Sequence, residues 1–148
     1  LLAEAAAMPM PLEYQHASED FERFLREVID RTGLTTRNQA FTTVQGVLLV
    51  FRRRLELREA IGFAACLPPV LRSIFIADWD TEAPKREFGS HEQWIEEVKA
   101  LRGDHNFSPD SAIADVAAAL RTQIGDAALD RALASAPPEA RAYWRIGN

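Results

Sequence analysis

The sequence is poor in several things at once. It holds a single cysteine, Cys66. A lone thiol closes no intramolecular bridge and builds no zinc site without further ligands, so the chain reads as a protein of the reducing cytoplasm. Uninterrupted apolar runs are short: Gly46 to Phe51 stops abruptly at Arg52-Arg53-Arg54. About 20 apolar residues are needed to span a bilayer, so no stable membrane insertion is expected. Positive charge is in deficit, with 17 Lys+Arg against 22 Asp+Glu and a formal charge of -5. Nucleic acid is therefore not an expected partner, because a phosphate backbone is bound by clustered cations. No Gly-x-Ser-x-Gly elbow, phosphate-binding glycine loop or dinucleotide fingerprint occurs, so no cofactor is expected and an enzymatic role is not favoured. The opening Leu1 to Ala7 lacks a positive region and carries Glu4, which argues against a secretory signal.

What remains is enough for one core: 148 residues, of which 47% are hydrophobic and 26% charged, can bury about two-thirds of their unfolded surface. Residues 1–17 read as an N-terminal extension, and Met8-Pro9-Met10-Pro11 interrupts any helix there because proline has no amide proton to give. Beyond it the period is helical. Ser18 is a good N-cap for a segment whose Phe21, Phe24, Leu25, Val28 and Ile29 share one face, and Gly33 is placed to stop it. A second helix is predicted from about Thr36 to Leu57 as a central element. A third covers about Arg58 to Cys66, and a fourth, opened by Pro68-Pro69, covers about Val70 to Ala77.

The pattern then begins again. A shift of 70 positions sets Phe21–Gly33 against His91–Gly103, with Glu22/Glu92, Glu27/Glu97, Val28/Val98 and Gly33/Gly103 identical. A shift of 69 pairs Val47/Val116, Arg52/Arg121 and Leu55/Ile124, and lays Pro68-Pro69-Val70-Leu71-Arg72 over Pro137-Pro138-Glu139-Ala140-Arg141. Caps recur as well: Ser90 before His91, Ser108-Pro109-Asp110 as N-cap and first turn, and Gly125-Asp126 between helices. The expected fold is all-α, about eight helices in two pseudo-symmetric four-helix repeats packed as one bundle domain over 18–148. Repeat 1 spans about 18–80, a linker 81–89, and repeat 2 about 90–145.

The landmarks Phe41 to Leu55, Glu59-Ala60, Leu67-Pro68-Pro69-Val70-Leu71-Arg72 and Asp78-Trp79 resemble the bacterial DUF2267 family of uncharacterised proteins. The resemblance covers about Phe21 to Trp144. The second half departs from the pattern, with Ala128-Leu129 for Glu59-Ala60 and Ala136 for Leu67. It implies a helical bacterial protein and brings no catalytic residues.

No metal site is expected, because His16, His91 and His105 form no ligand pair. Cys66, among Phe63-Ala64-Ala65 and Leu67, reads as a small apolar residue rather than an activated thiolate. Glu22/Glu92 and Glu27/Glu97 read as solvated outer faces. Arg52, Arg53 and Arg54 are candidates for an acidic partner. Arg72 and Arg141 occupy matching positions, suited to clamping carboxylates or helix-end carbonyls; with Asp78 and Trp79 they are the ligand-binding candidates. All of the net charge lies in residues 76–148, where 8 Lys+Arg face 13 Asp+Glu. The functional expectation is a non-enzymatic protein-interaction or assembly module, with a protein partner or self-association. The alternative is a small-ligand binder or enzyme with a pocket between the repeats.

Overall fold

The computed structural model describes residues 9–146. Among the described residues nine α-helices follow in chain order: α1 Leu12–Gln15, α2 Ala17–Thr32, α3 Arg37–Arg52, α4 Leu57–Cys66, α5 Pro69–Ile76, α6 His91–Ala100, α7 Ala112–Ile124, α8 Asp126–Leu133 and α9 Pro138–Tyr143. A 3-10 turn, Gly103–His105, lies between α6 and α7. No strand occurs among the described residues. The one-turn α1, in the segment read as extension, takes the count among the described residues one beyond eight.

Local chemistry sets most boundaries. Gly33 ends α2 at φ +75°, its amide bonded to the Ile29 carbonyl at 2.9 Å, a left-handed cap that glycine takes without a Cβ clash. Thr36 and Gln39 open α3 with a reciprocal capping box, and Ser90 and Gln93 open α6 in the same way. Pro69 and Pro138 sit in the first turns of α5 and α9, where their missing amide costs nothing. Three expectations need correction. Ser18 lies inside α2, which starts at Ala17. Helix α3 stops at Arg52 rather than Leu57, because Arg54 and Leu55 turn inward to 3% and 5% exposure while Glu59 receives the Glu56 amide and starts α4. Helix α7 starts at Ala112, and Ser108 is no cap: its hydroxyl is bonded to Thr43 at 2.7 Å and its amide to Asn106.

The helices pair crosswise. Helix α2 packs on α7, α3 on α6, α4 on α8, and α3 also on α7. Helix α3 is the centre, burying Ala40, Val44, Val47, Leu48, Val50 and Phe51. At Gly46 it runs so close to α6 that an added Cβ would stand 3.2 Å from both Val98 Cγ1 and the Val98 carbonyl. The Phe51 ring lies 4.8 Å from Phe63, 5.0 Å from Tyr143 and 5.4 Å from Trp144, so residues from both ends of the chain fill one core. Burying each such ring contributes about 2–3 kcal/mol. Tyr143 satisfies its phenol by donating to the Val47 carbonyl at 2.7 Å.

Several of these bonds recur 69 residues apart. Arg72 donates to the Ala64 and Leu67 carbonyls, and Arg141 to those of Leu133 and Ala136. Arg52 donates to the Phe75 carbonyl, and Arg121 to that of Trp144. Each arginine ties off carbonyls at or beyond a helix end that have no partner within the helix itself.

Candidate functional site

After Ile76 the chain runs without a helix to Ser90. It folds back beside the α3–α4 corner, where the Arg86 amide bonds to the Arg53 carbonyl at 2.9 Å. Between these two stretches of chain lies an open cleft of about 790 Å³, walled by Arg52, Arg53 and residues 55–57 on one side and by residues 78–81 and 83–86 on the other. Asp78 begins the second wall at φ +53°, a strained conformation for a residue with a side chain.

Beneath the cleft lies a charge cluster. Glu97 of α6 accepts hydrogen bonds from Arg54, from Arg53 Nη1 at 3.2 Å and from Arg86 Nη1 at 3.0 Å. Arg54 makes a two-pronged pair with it and also donates to the Phe88 and Val50 carbonyls, both at 2.9 Å. A buried guanidinium needs this degree of satisfaction. Burial works against the Glu97 carboxylate, but bonds and charge from Arg54, Arg53 and Arg86 outweigh it and hold the acid below the ordinary glutamate range. Three guanidiniums on one carboxylate leave an excess of positive charge.

Arg52 occupies the cleft wall. Its Nη1 donates to the Phe75 carbonyl at 2.8 Å and the Ala77 carbonyl at 3.1 Å. Its guanidinium carbon sits 5.2 Å from the centre of the half-buried Trp79 ring, within range of a cation–π contact. Burial and the neighbouring Arg53 lower its affinity for its proton, and Asp78 partly restores it.

The residues singled out from the sequence thus separate. Asp78 and Trp79 share the cleft with Arg52 and Arg53. Arg54 is buried in the ion cluster and presents no surface to a partner. Arg72 and Arg141 are outside the cleft lining, held to helix-end carbonyls, so the four ligand candidates do not converge. Glu97 is corrected from a solvated outer residue to the hub of the cluster. Reasoning from sequence missed it, along with Lys85 and Arg86; the only local trace was the Glu27/Glu97 match, which does not say which way the side chain faces.

Other chemistry is sparse. Burial raises the Cys66 thiol to about 11, so it is protonated at neutral pH. Among the described residues no group of three or more His, Cys, Asp or Glu side chains is arranged to hold a metal ion. None of the described helices is long and apolar enough to cross a membrane.

No curated protein matches the chain. Residues 21–143 match the family described as Uncharacterized conserved protein (DUF2267). That span runs from the inward face of α2 to the end of α9 and takes in both walls of the cleft and the Glu97 cluster. The chain belongs to the DUF2267 family.

Proposed function

We propose that this protein is a non-enzymatic interaction module, built of two related helical halves, that engages a protein partner through the cleft and the adjoining outer face of α4. One observation carries the reading. Leu57 and Ile61, 53% and 60% exposed, stand one turn apart on α4, and Leu57 lines the mouth of the cleft. Large aliphatic side chains paired in this way beside a cationic rim are the anatomy of a recognition surface. The absence of a catalytic motif from the sequence and the protonated state of Cys66 fit a binding role in the cytoplasm. The cleft volume also falls in the range of small-molecule sites, which favours holding a small ligand as the second reading.

Native mass spectrometry of protein isolated gently from its host separates these. A mass above 16.6 kDa by a whole polypeptide, lost in the double variant Leu57→Glu/Ile61→Glu, is the expected result. A monomer carrying a small reproducible adduct supports the second reading instead. A bare monomer overturns both.

A further inference from the structure

The geometry points to an acidic, partly apolar polypeptide segment as what the cleft between residues 52–57 and 78–86 holds. This rests on the interaction reading and names the chemistry of its partner. Arg53 and Arg86 each donate to Glu97 through Nη1 alone. Among the described residues their Nε and Nη2 groups have no protein acceptor, and both side chains reach solvent, at 36% and 54% exposure. Lys85 stands 3.9 Å from Glu56 without a hydrogen bond to it. These are solvent-facing guanidinium edges and an ammonium suited to carboxylates.

The remaining charges of the lining do not cancel them. Arg52, Arg53, Lys85 and Arg86 face Glu56, Asp78 and Asp80, leaving the cleft positive within a chain of net charge -5. Asp80 is engaged by the Glu82 amide at 3.0 Å. Beneath, Arg54 and Glu97 offset one another.

Glu27, 70 positions before Glu97, meets Thr122, 69 positions after Arg53, at 3.0 Å. Gln123 stands 69 positions after Arg54 and donates to the Asp20 carbonyl at 2.8 Å. At that junction Glu27 is paired with Arg31 of its own helix at 2.8 Å, and Thr122 and Gln123 stand where the other junction has Arg53 and Arg54, so among the described residues no second guanidinium reaches across from the facing helix as Arg53 does beside the cleft. Between the charges lie Leu55, Leu57, Ala83 and Pro84. An isolated phosphate is held by converging backbone amides; a wall that carries aliphatic side chains beside the cation pairs Arg52-Arg53 and Lys85-Arg86 suits a chain bearing both carboxylates and apolar groups.

The test is calorimetric titration of the full chain with the blocked peptide Glu-Leu-Asp-Leu-Glu-Leu, against its Gln/Asn counterpart and against pyrophosphate. The acidic peptide is expected to bind and to weaken about tenfold as salt rises from about 50 to about 300 mM. Lys85→Glu/Arg86→Glu is expected to weaken it at least about tenfold, and Leu57→Ser several-fold, with the helical circular dichroism of both variants unchanged. No binding, equal binding by the charge-reversed variant, or full displacement of the peptide by an equal concentration of pyrophosphate overturns the inference. If the host-isolated charge-reversed variant keeps the partner polypeptide of the wild type, this inference fails and the interaction reading survives. If neither protein carries a partner, the interaction reading itself fails.

Discussion

Glu97→Gln isolates the charge at the centre of the fold with little change of shape. In the wild type the carboxylate takes both prongs of Arg54, which is 3% exposed, and one bond each from Arg53 and Arg86. Neutralising it leaves a guanidinium charge buried without a counter-ion. Breaking such a pair from one side costs about 3–5 kcal/mol. Arg54 retains the Phe88 and Val50 carbonyls, and the amide oxygen of glutamine still accepts, which places the loss near the lower end, about 3 kcal/mol at pH 7. For a chain of this size that is a fall of about 9 °C in Tm. The loss also has a pH signature. A carboxyl held below its ordinary value of about 4.5 contributes its full stability above that value and loses it as pH falls through the lower folded one. Urea unfolding of wild type and variant should therefore show a gap that is constant from pH 8 to about 5 and narrows below about 4.5. A loss under about 1 kcal/mol at pH 7, or a gap that does not narrow in acid, refutes the account of Glu97 as the counter-charge of a buried arginine.

The exposed pair Lys99–Asp110 provides the contrast: Asp110, 81% exposed, should tolerate Asn with a change below about 0.5 kcal/mol in the same unfolding experiment. Gly33→Ala has open space around the new methyl but a φ of +75°, so it should cost about 1 kcal/mol through backbone strain alone, read from the urea midpoint at unchanged slope. Tyr143→Phe removes the side-chain bond to the Val47 carbonyl, which keeps its donor within the helix, and should cost about 0.5–1.5 kcal/mol in the same urea titration. Cys66, raised to about 11, should react with a thiol reagent at pH 7.5 at least about tenfold more slowly in native protein than in urea.

Residues that signal to near neighbours were legible in the sequence. Gly33, the Ser90 cap, the Gly125 break and the two Pro-Pro helix starts all act within one turn of their own position, and the inward stripe Phe24, Leu25 and Val28 follows from helical period alone. Errors fall where a distant partner overrides a local preference. Ser108 has the composition of an N-cap, yet its hydroxyl meets Thr43, 65 residues earlier in the chain. The length of α3 was overestimated because the period continues to Leu55, while the backbone turns to let Arg54 reach Glu97, 43 residues away. For the same reason the cleft was visible only in part. Arg52, Asp78 and Trp79 stood out as charged or aromatic punctuation, but Lys85 and Arg86 lay in a stretch whose fold-back depends on the pairing of Arg86 with Arg53. Arg72 and Arg141 read as matching positions in the sequence, and each bonds carbonyls five and eight residues back along the chain.

The crosswise pairing of α2 with α7 and α3 with α6 bears on how the protein is made. During synthesis α3 ends at Arg52, 91 residues before Tyr143, which with Trp144 closes over Phe51. The emerging first half therefore waits with the faces of α2 and α3 that meet α7 and α6 still open, and a ribosome stalled after α5 would display those faces to the cell. Chaperone contact should concentrate on nascent chains of intermediate length and fall away once α9 has cleared the exit tunnel.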